Sequence, residues 1–422
     1  MRLSSLIANA SPVAGIIISV ALMLFSGFAM TRLTKLARLP NVTGYILAGI
    51  LIGPYVLNLV PQRIIDGTDF LSDIALAFIA FSTGEFFKLP VLKKSGMKVV
   101  WITVFEAVLA SVFIFILTYF ILRLDLAFSI VLAALASATA PASTMMTIRQ
   151  TGAKGDFVDT LLQVVALDDV VGLVLYSIAI SIALASLSGV SGFSFETLGN
   201  PVLLNLLVLL LGSIFGLFMK LLMPQKRSKD NKLIISVALL FAFCGVCALL
   251  DLSPLLGCMV MGTVYTNIAD DDKLFKQLNY FSPPLLLLFF VRSGMSFQLD
   301  ALISPAGALD GVPLLVIGAS YFLVRILGKY AGAWLGCRLV GKDRLVRNYL
   351  GLALIPQAGV AIGLAALGAR TLGGAMGSDL QTVILASSVL YELIGPGCAK
   401  LALYLSRSYS TRLEDVAAVE EV

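Results

Sequence analysis

The chain reads as an all-α integral membrane protein of thirteen transmembrane helices arranged as two inverted-topology repeats. Three observations predict it. Hydrophobic residues make up 59% of the 422 and charged residues 13%, with a mean hydropathy of +0.98, which leaves too little polar surface to cover a soluble globule. Apolar runs of helix length recur from end to end, and ~20 such residues cross a hydrocarbon layer roughly 30 Å thick. Basic residues collect in alternate loops, as the positive-inside rule requires of a polytopic protein.

The spans are expected, in order, at 11–31, 42–60, 68–87, 99–122, 126–148, 158–187, 201–222, 232–250, 254–268, 279–298, 312–337, 346–369 and 380–405. The loop after span 1 carries Arg32, Lys35 and Arg38, and the loop after span 3 carries Lys88, Lys93, Lys94 and Lys98. Arg149 and Lys154 follow span 5; Lys220, Lys226, Arg227, Lys229 and Lys232 follow span 7. Lys273 and Lys276 follow span 9, Arg338, Lys342, Arg344 and Arg347 follow span 11, and Lys400, Arg407 and Arg412 lie near or after the end of span 13. These loops belong on the cytoplasmic side, so the N-terminus is expected outside and the C-terminus inside. The net charge of +5 reflects this bias and does not point to nucleic acid. The first apolar run lacks a basic leader and a cleavage site, and is expected to stay as a helix. Cys244 and Cys247 form a CxxC, but inside an apolar helix they read as small packing residues with no redox role.

The second half of the chain echoes the first. Gly44-Tyr45-Ile46-Leu47-Ala48-Gly49 is matched by Gly257-Cys258-Met259-Val260-Met261-Gly262, and Phe81-Ser82-Thr83-Gly84 by Val291-Arg292-Ser293-Gly294. Pro141 is matched by Pro356, and Asp168-Asp169 falls opposite Ser387-Ser388. An odd number of spans separates the copies, so spans 1–6 and 8–13 are expected to be inverted repeats with span 7 as connector, the plan of many secondary transporters.

Five charges inside the apolar runs need a reason, because an ionised group near the bilayer centre costs several kcal/mol. Asp168 and Asp169 sit side by side in span 6, where they also repel each other, so something cationic is expected to bind them. Arg325 and Lys329, four apart on one face of span 11, are the cations; Glu106 in span 4 is the third carboxylate. Repeat-related placement favours Glu106 with Arg325 as a structural tether. One carboxylate is then left over for an ion. Pro141 and Pro356, with Gln357 beside the latter, lie well inside spans 5 and 12; a proline frees a backbone carbonyl one turn earlier, so both helices are expected to unwind at membrane depth and offer carbonyls to a cation. The chain has no histidine, so any response near neutral pH must use carboxylates or a buried lysine.

With these motifs in this order, together with Ser137-Ala138-Thr139-Ala140-Pro141, Gly328-Lys329 and Leu354-Ile355-Pro356-Gln357-Ala358-Gly359, the chain resembles the monovalent cation:proton antiporter superfamily, in particular its second branch of sodium/proton and potassium/proton exchangers. The resemblance implies the sodium/proton antiporter fold, with two crossing, discontinuous helices at spans 5 and 12. It implies that Asp169 is the main ion and proton carrier, that Asp168 pairs with Lys329 when no ion is bound, and that Thr139 is a polar ligand. Relatives often carry an acid after that threonine; here Ala140 stands instead. It further implies core helices at 97–187 and 301–406, scaffold and dimerisation helices at 1–96 and 231–300, a connector at 188–230 and a cytoplasmic tail at 407–422. The nucleotide-binding regulatory domain of the glutathione-gated potassium members is not expected after span 13.

The function expected is therefore antiport, without enzyme chemistry or cofactor, of Na⁺ or Li⁺ against protons by alternating access. Two aspartates and a releasable Lys329 would carry two protons per cation and make exchange electrogenic. A K⁺/H⁺ antiporter is the first alternative, a sodium-coupled organic anion symporter the second, and a cation channel or sensor the third. The expected partners are the monovalent cation, the proton, membrane lipid and a second copy of the chain, in a bacterial inner membrane.

Overall fold

The computed structural model describes residues 11–36, 41–68, 70–90, 96–140, 144–145, 147–148, 151–187, 195–224, 227–250, 252–269, 273–298 and 308–409. Pro141 and the tail beyond 409 lie outside them. The chain forms two compact units, one of Met1–Ala37, Gly44–Lys94 and Phe193–Ser296, the other of Arg38–Thr43, Ser95–Gly192 and Phe297–Val422.

The first unit contains α1 (Pro12–Leu36), most of α2 (Asn41–Ile52), the short α3 (Gln62–Gly67) and α4 (Phe70–Thr83), then α8 (Phe195–Leu222), α9 (Lys229–Leu249), α10 (Leu255–Ile268), α11 (Lys273–Phe281) and α12 (Pro283–Met295). Backbones meet here at glycine, as small residues permit between membrane helices. A β-carbon on Gly49 would strike Val291 O, and one on Gly294 would strike Ile46 O, so α2 and α12 touch at reciprocal glycines. Gly84 and Gly262 do the same between the end of α4 and α10. Span 10 is not one straight helix: α11 and α12 meet at 47°, because Pro283 and Pro284 lack the amide protons that would continue α11. Arg292 is buried at 8% exposure and donates to Ile65 O at 3.2 Å. It lies one turn before the end of α12, where packing against the α3–α4 segment covers it.

The second unit contains α5 (Met97–Phe115, ending in a π turn), α6 (Leu126–Leu135), α7 (Asp156–Leu187), α13 (Leu314–Leu339), α14 (Arg344–Ala353), α15 (Gly359–Leu372) and α16 (Gly374–Leu405). A short hairpin, β1 (Ala308–Leu309) and β2 (Val312–Pro313), leads into α13. The apolar centre of the second unit joins Ile102 of α5, Leu161 and Val164 of α7, Leu350 of α14 and Ala402 of α16. The tightest pairing is α5 on α13. Glycines at every fourth position of α13 seat it: β-carbons on Gly328, Gly332 and Gly336 would lie 2.7, 2.5 and 2.9 Å from the Cα atoms of Ala110, Glu106 and Ile102. Gly332→Ala should therefore destabilise the protein by about 1–3 kcal/mol despite alanine's better helix propensity, since backbone cannot yield to the methyl. A thermal unfolding curve in detergent checks this, and an unchanged midpoint contradicts it.

Seven described helices are long and apolar enough to cross a membrane alone, or eight if α11 and α12 count as one bent span. Shorter apolar helices occupy the stretches expected for spans 2, 3, 5, 9 and 12.

Candidate ion-binding site

Two interruptions of helix build the site. α6 ends at Leu135, and a turn at Ala136 and Ser137 leads into non-helical chain through Ala140, while α14 ends at Ala353 and α15 begins only at Gly359. Pro356 lies inside the second break. The two non-helical segments bond directly, Ala140 N donating to Pro356 O at 2.9 Å.

Breaking a helix inside a membrane exposes carbonyls that must find donors. Every carbonyl from Leu135 to Ala138 does so through a side chain of the second half. Gln357 Nε2 donates to Leu135 O at 2.7 Å, and Arg325 donates from Nε to Ala136 O at 2.8 Å and from Nη2 to Ala138 O at 2.6 Å. Lys329 Nζ takes Ser137 O. Arg325 Nη1 also reaches across to Ile355 O at 2.8 Å, so one guanidinium holds both breaks. The Tyr391 ring lies 4.6 Å from its centre, and the Tyr321 hydroxyl sits 3.2 Å from Gln357 Oε1. These carbonyls, expected as cation ligands, are thus occupied by protein donors.

The expected tether between Glu106 and Arg325 is not what forms. Glu106 Oε2 lies 2.7 Å from Lys329 Nζ, and Arg325 turns into the breaks. The physical reason is the seat of Gly332 against Glu106, which brings the carboxylate level with Lys329, one turn from Arg325. Lys329 Nζ also lies 2.8 Å from Asp168 Oδ2 and 3.0 Å from Thr139 Oγ1. Glu106, Asp168, Lys329 and Arg325 are fully buried, and Asp169 and Thr139 are 1% and 2% exposed. Three N–H bonds of one ammonium therefore face four acceptors, two of them carboxylates. Asp169, next to Asp168 on α7, is one residue further round the helix.

The count of buried carboxylates made from sequence is also short by one. Glu392, 1% exposed on α16, is a fourth buried carboxylate. It stands in Leu390-Tyr391-Glu392-Leu393-Ile394, an apolar setting as telling as that of Glu106, and could have been found by the same rule. Elimination alone therefore does not single out Asp169.

Arg325→Met would leave Ala136, Ala138 and Ile355 carbonyls buried without donors, at about 1–3 kcal/mol each. Arg325→Lys should not rescue it, since a single ammonium cannot span three carbonyls on two segments as the planar fork does. Both variants should lower the unfolding midpoint in detergent; a lysine variant as stable as the native chain would show that only charge matters here.

A profile described as "Sodium/hydrogen exchanger, transmembrane" matches residues 18–401, nearly the whole chain. The chain belongs to the sodium/hydrogen exchanger family. The exchanger is 24% identical over 391 residues to a protein named probable Na(+)/H(+) antiporter 3 from Methanocaldococcus jannaschii, covering 87% of this chain and 92% of that one. It is 26% identical over 281 residues to the iron transporter MagA of Paramagnetospirillum magneticum, covering 66% of this chain and 62% of that one. It is 23% identical over 188 residues to the high-affinity Na(+)/H(+) antiporter NhaS3 of a Synechocystis strain, covering 44% of this chain and 39% of that one. In fold it matches the sodium proton antiporter MjNhaP1 of Methanocaldococcus jannaschii with a TM-score of 0.69 at 18% identity, over 92% of this chain and 98% of that one. The exchanger is thus an integral membrane transporter of the cation/proton exchange class, not an enzyme.

Proposed function

We propose that this exchanger moves Na⁺ or Li⁺ against protons by alternating access, with Asp169 and Asp168 as the ion and proton site and Thr139 as a further ligand. One observation carries the reading. The Lys329 ammonium holds Asp168 Oδ2 and Thr139 Oγ1, the kind of oxygens a dehydrated monovalent cation needs. Ammonium and cation compete for one ligand set, and proton and cation compete for Asp169, so loading is mutually exclusive. Opposite flows are then coupled without any further device.

Lys329 leaving Asp168 with loss of its proton gives two protons per cation and electrogenic exchange. The 2.7 Å contact with Glu106 favours a second reading, in which Lys329 stays charged on Glu106 and exchange is electroneutral. Asp168→Asn separates them: charge movement in voltage-clamped proteoliposomes should disappear under the first and was never present under the second.

The reciprocal glycines support the inverted repeat. Gly49 answers to Gly262 and Gly84 to Gly294 in the two copies, and Gly49 packs at Gly294 while Gly84 packs at Gly262, so exchanging the copies exchanges the contacts. On this plan there are thirteen crossings, the short helices included, with the N-terminus outside. Residues 97–187 and 301–406 move as a core, 1–96 and 231–300 form a dimerising scaffold, and a bacterial inner membrane is the setting.

The test is a fluorescent pH assay in proteoliposomes, with Na⁺, Li⁺, K⁺ and Rb⁺ added in turn. Dissipation of the gradient by Na⁺ and Li⁺ is expected. A response to K⁺ and Rb⁺ alone replaces the assignment with K⁺/H⁺ exchange, and cation uptake without proton movement removes antiport altogether.

A further inference from the structure

Away from the ion site, α13 carries an outward stripe at helical spacing: Leu323 is 59% exposed, Leu327 61% and Tyr330 37%, and the same face continues to Trp334 and Arg338. An apolar stripe left open on a membrane helix faces acyl chains. At its end two cations converge on one indole, with the guanidinium carbons of Arg338 and Arg347 lying 5.1 and 5.9 Å from the Trp334 ring centre. Arg347 comes from α14. Like charges on a shared ring repel, yet neither arginine forms an ion pair among the described residues. The nearby acids are engaged elsewhere: Asp343 accepts from Leu345 N at 3.0 Å, and Asp156 takes Lys342 at 2.8 Å. Arg347 Nε is moreover buried without a hydrogen-bond acceptor, which leaves a strong donor unsatisfied.

We propose that Trp334, Arg338 and Arg347 hold the phosphate of one anionic phospholipid, whose acyl chain lies along Leu323, Leu327 and Tyr330. A phosphodiester offers oxygens to both forks at once and offsets their repulsion. The apolar stripe running into the site selects a lipid over a free anion, and a tryptophan with arginines is the usual furniture of the headgroup level. α13 also bears Arg325 and Lys329, and α14 runs into the second break, so the lipid clamps together the two helices that feed the ion site.

The test is native mass spectrometry of delipidated full-length protein titrated with phosphatidylglycerol or phosphatidylcholine, a readout independent of whether exchange occurs or which ion is carried. Retention of phosphatidylglycerol should exceed that of phosphatidylcholine and fall by about tenfold or more when Arg338→Gln and Arg347→Gln are combined, as expected for two lost charge-assisted bonds. The lysine pair, R338K with R347K, should bind at an intermediate level. Equal retention by native and glutamine-substituted protein overturns the proposal. So does displacement of the lipid by millimolar inorganic phosphate, which would mark a soluble-anion site. Should the double variant not fold, Arg338→Gln alone, at an exposed position, carries the same comparison.

Discussion

Asp169→Asn is expected to reduce cation-driven proton movement in proteoliposomes to the level of empty liposomes. Asparagine keeps the shape and one carbonyl oxygen, but it can neither carry a proton nor neutralise a bare cation at 1% exposure. A dehydrated Na⁺ needs that negative charge, because the low-dielectric surroundings repay little of its lost hydration otherwise. Folding should not suffer. Asp168 stands next to Asp169 on α7, and removing one of two adjacent buried charges relieves their repulsion, so the unfolding midpoint should hold or rise. Retained exchange by a well-folded Asp169→Asn protein would remove the site assignment, whereas loss of exchange with loss of folding would be answered by the midpoint.

The second large effect is on stability. Lys329→Ala leaves Glu106 and Asp168 buried at zero exposure without the ammonium that lies 2.7 and 2.8 Å from them. Removing one partner from a buried ionic group costs about 3–5 kcal/mol, because the remaining charge keeps its desolvation penalty. Thr139 Oγ1 and Ser137 O lose their donor as well. The unfolding midpoint in detergent should drop sharply at neutral pH. Adding Glu106→Gln to Lys329→Ala should recover part of that loss, since only one uncompensated carboxylate then remains. No recovery would mean that Glu106 is not the second counter-ion of Lys329, and that the 2.7 Å contact contributes nothing.

Much of this was legible in the chain. Charges in apolar runs are rare enough to be informative one at a time, so Asp168, Asp169, Lys329, Arg325 and Glu106 declared themselves from local context. Pro356, in a segment otherwise suited to helix, marked a real interruption. Glu392 was equally legible and was missed. The kink at Pro283 was missed because a proline pair at the start of a helix reads as a normal N-terminus and not as a bend within one span.

Sequence by itself determined the class of molecule, the membrane-crossing character and the family, because hydropathy and local motifs act residue by residue along the chain. It could not say which acceptor each cation would find. Arg325 and Lys329 share a helix face at one-turn spacing, so the pairing of Glu106 depends on how far α5 slides along α13. That register is decided by three glycines meeting the backbone of Ile102, Glu106 and Ala110, a non-local contact whose partner helix no local pattern names. The same register turns Arg325 into the two breaks, where it holds the Ala136, Ala138 and Ile355 carbonyls, and sets Lys329 between Glu106 and Asp168.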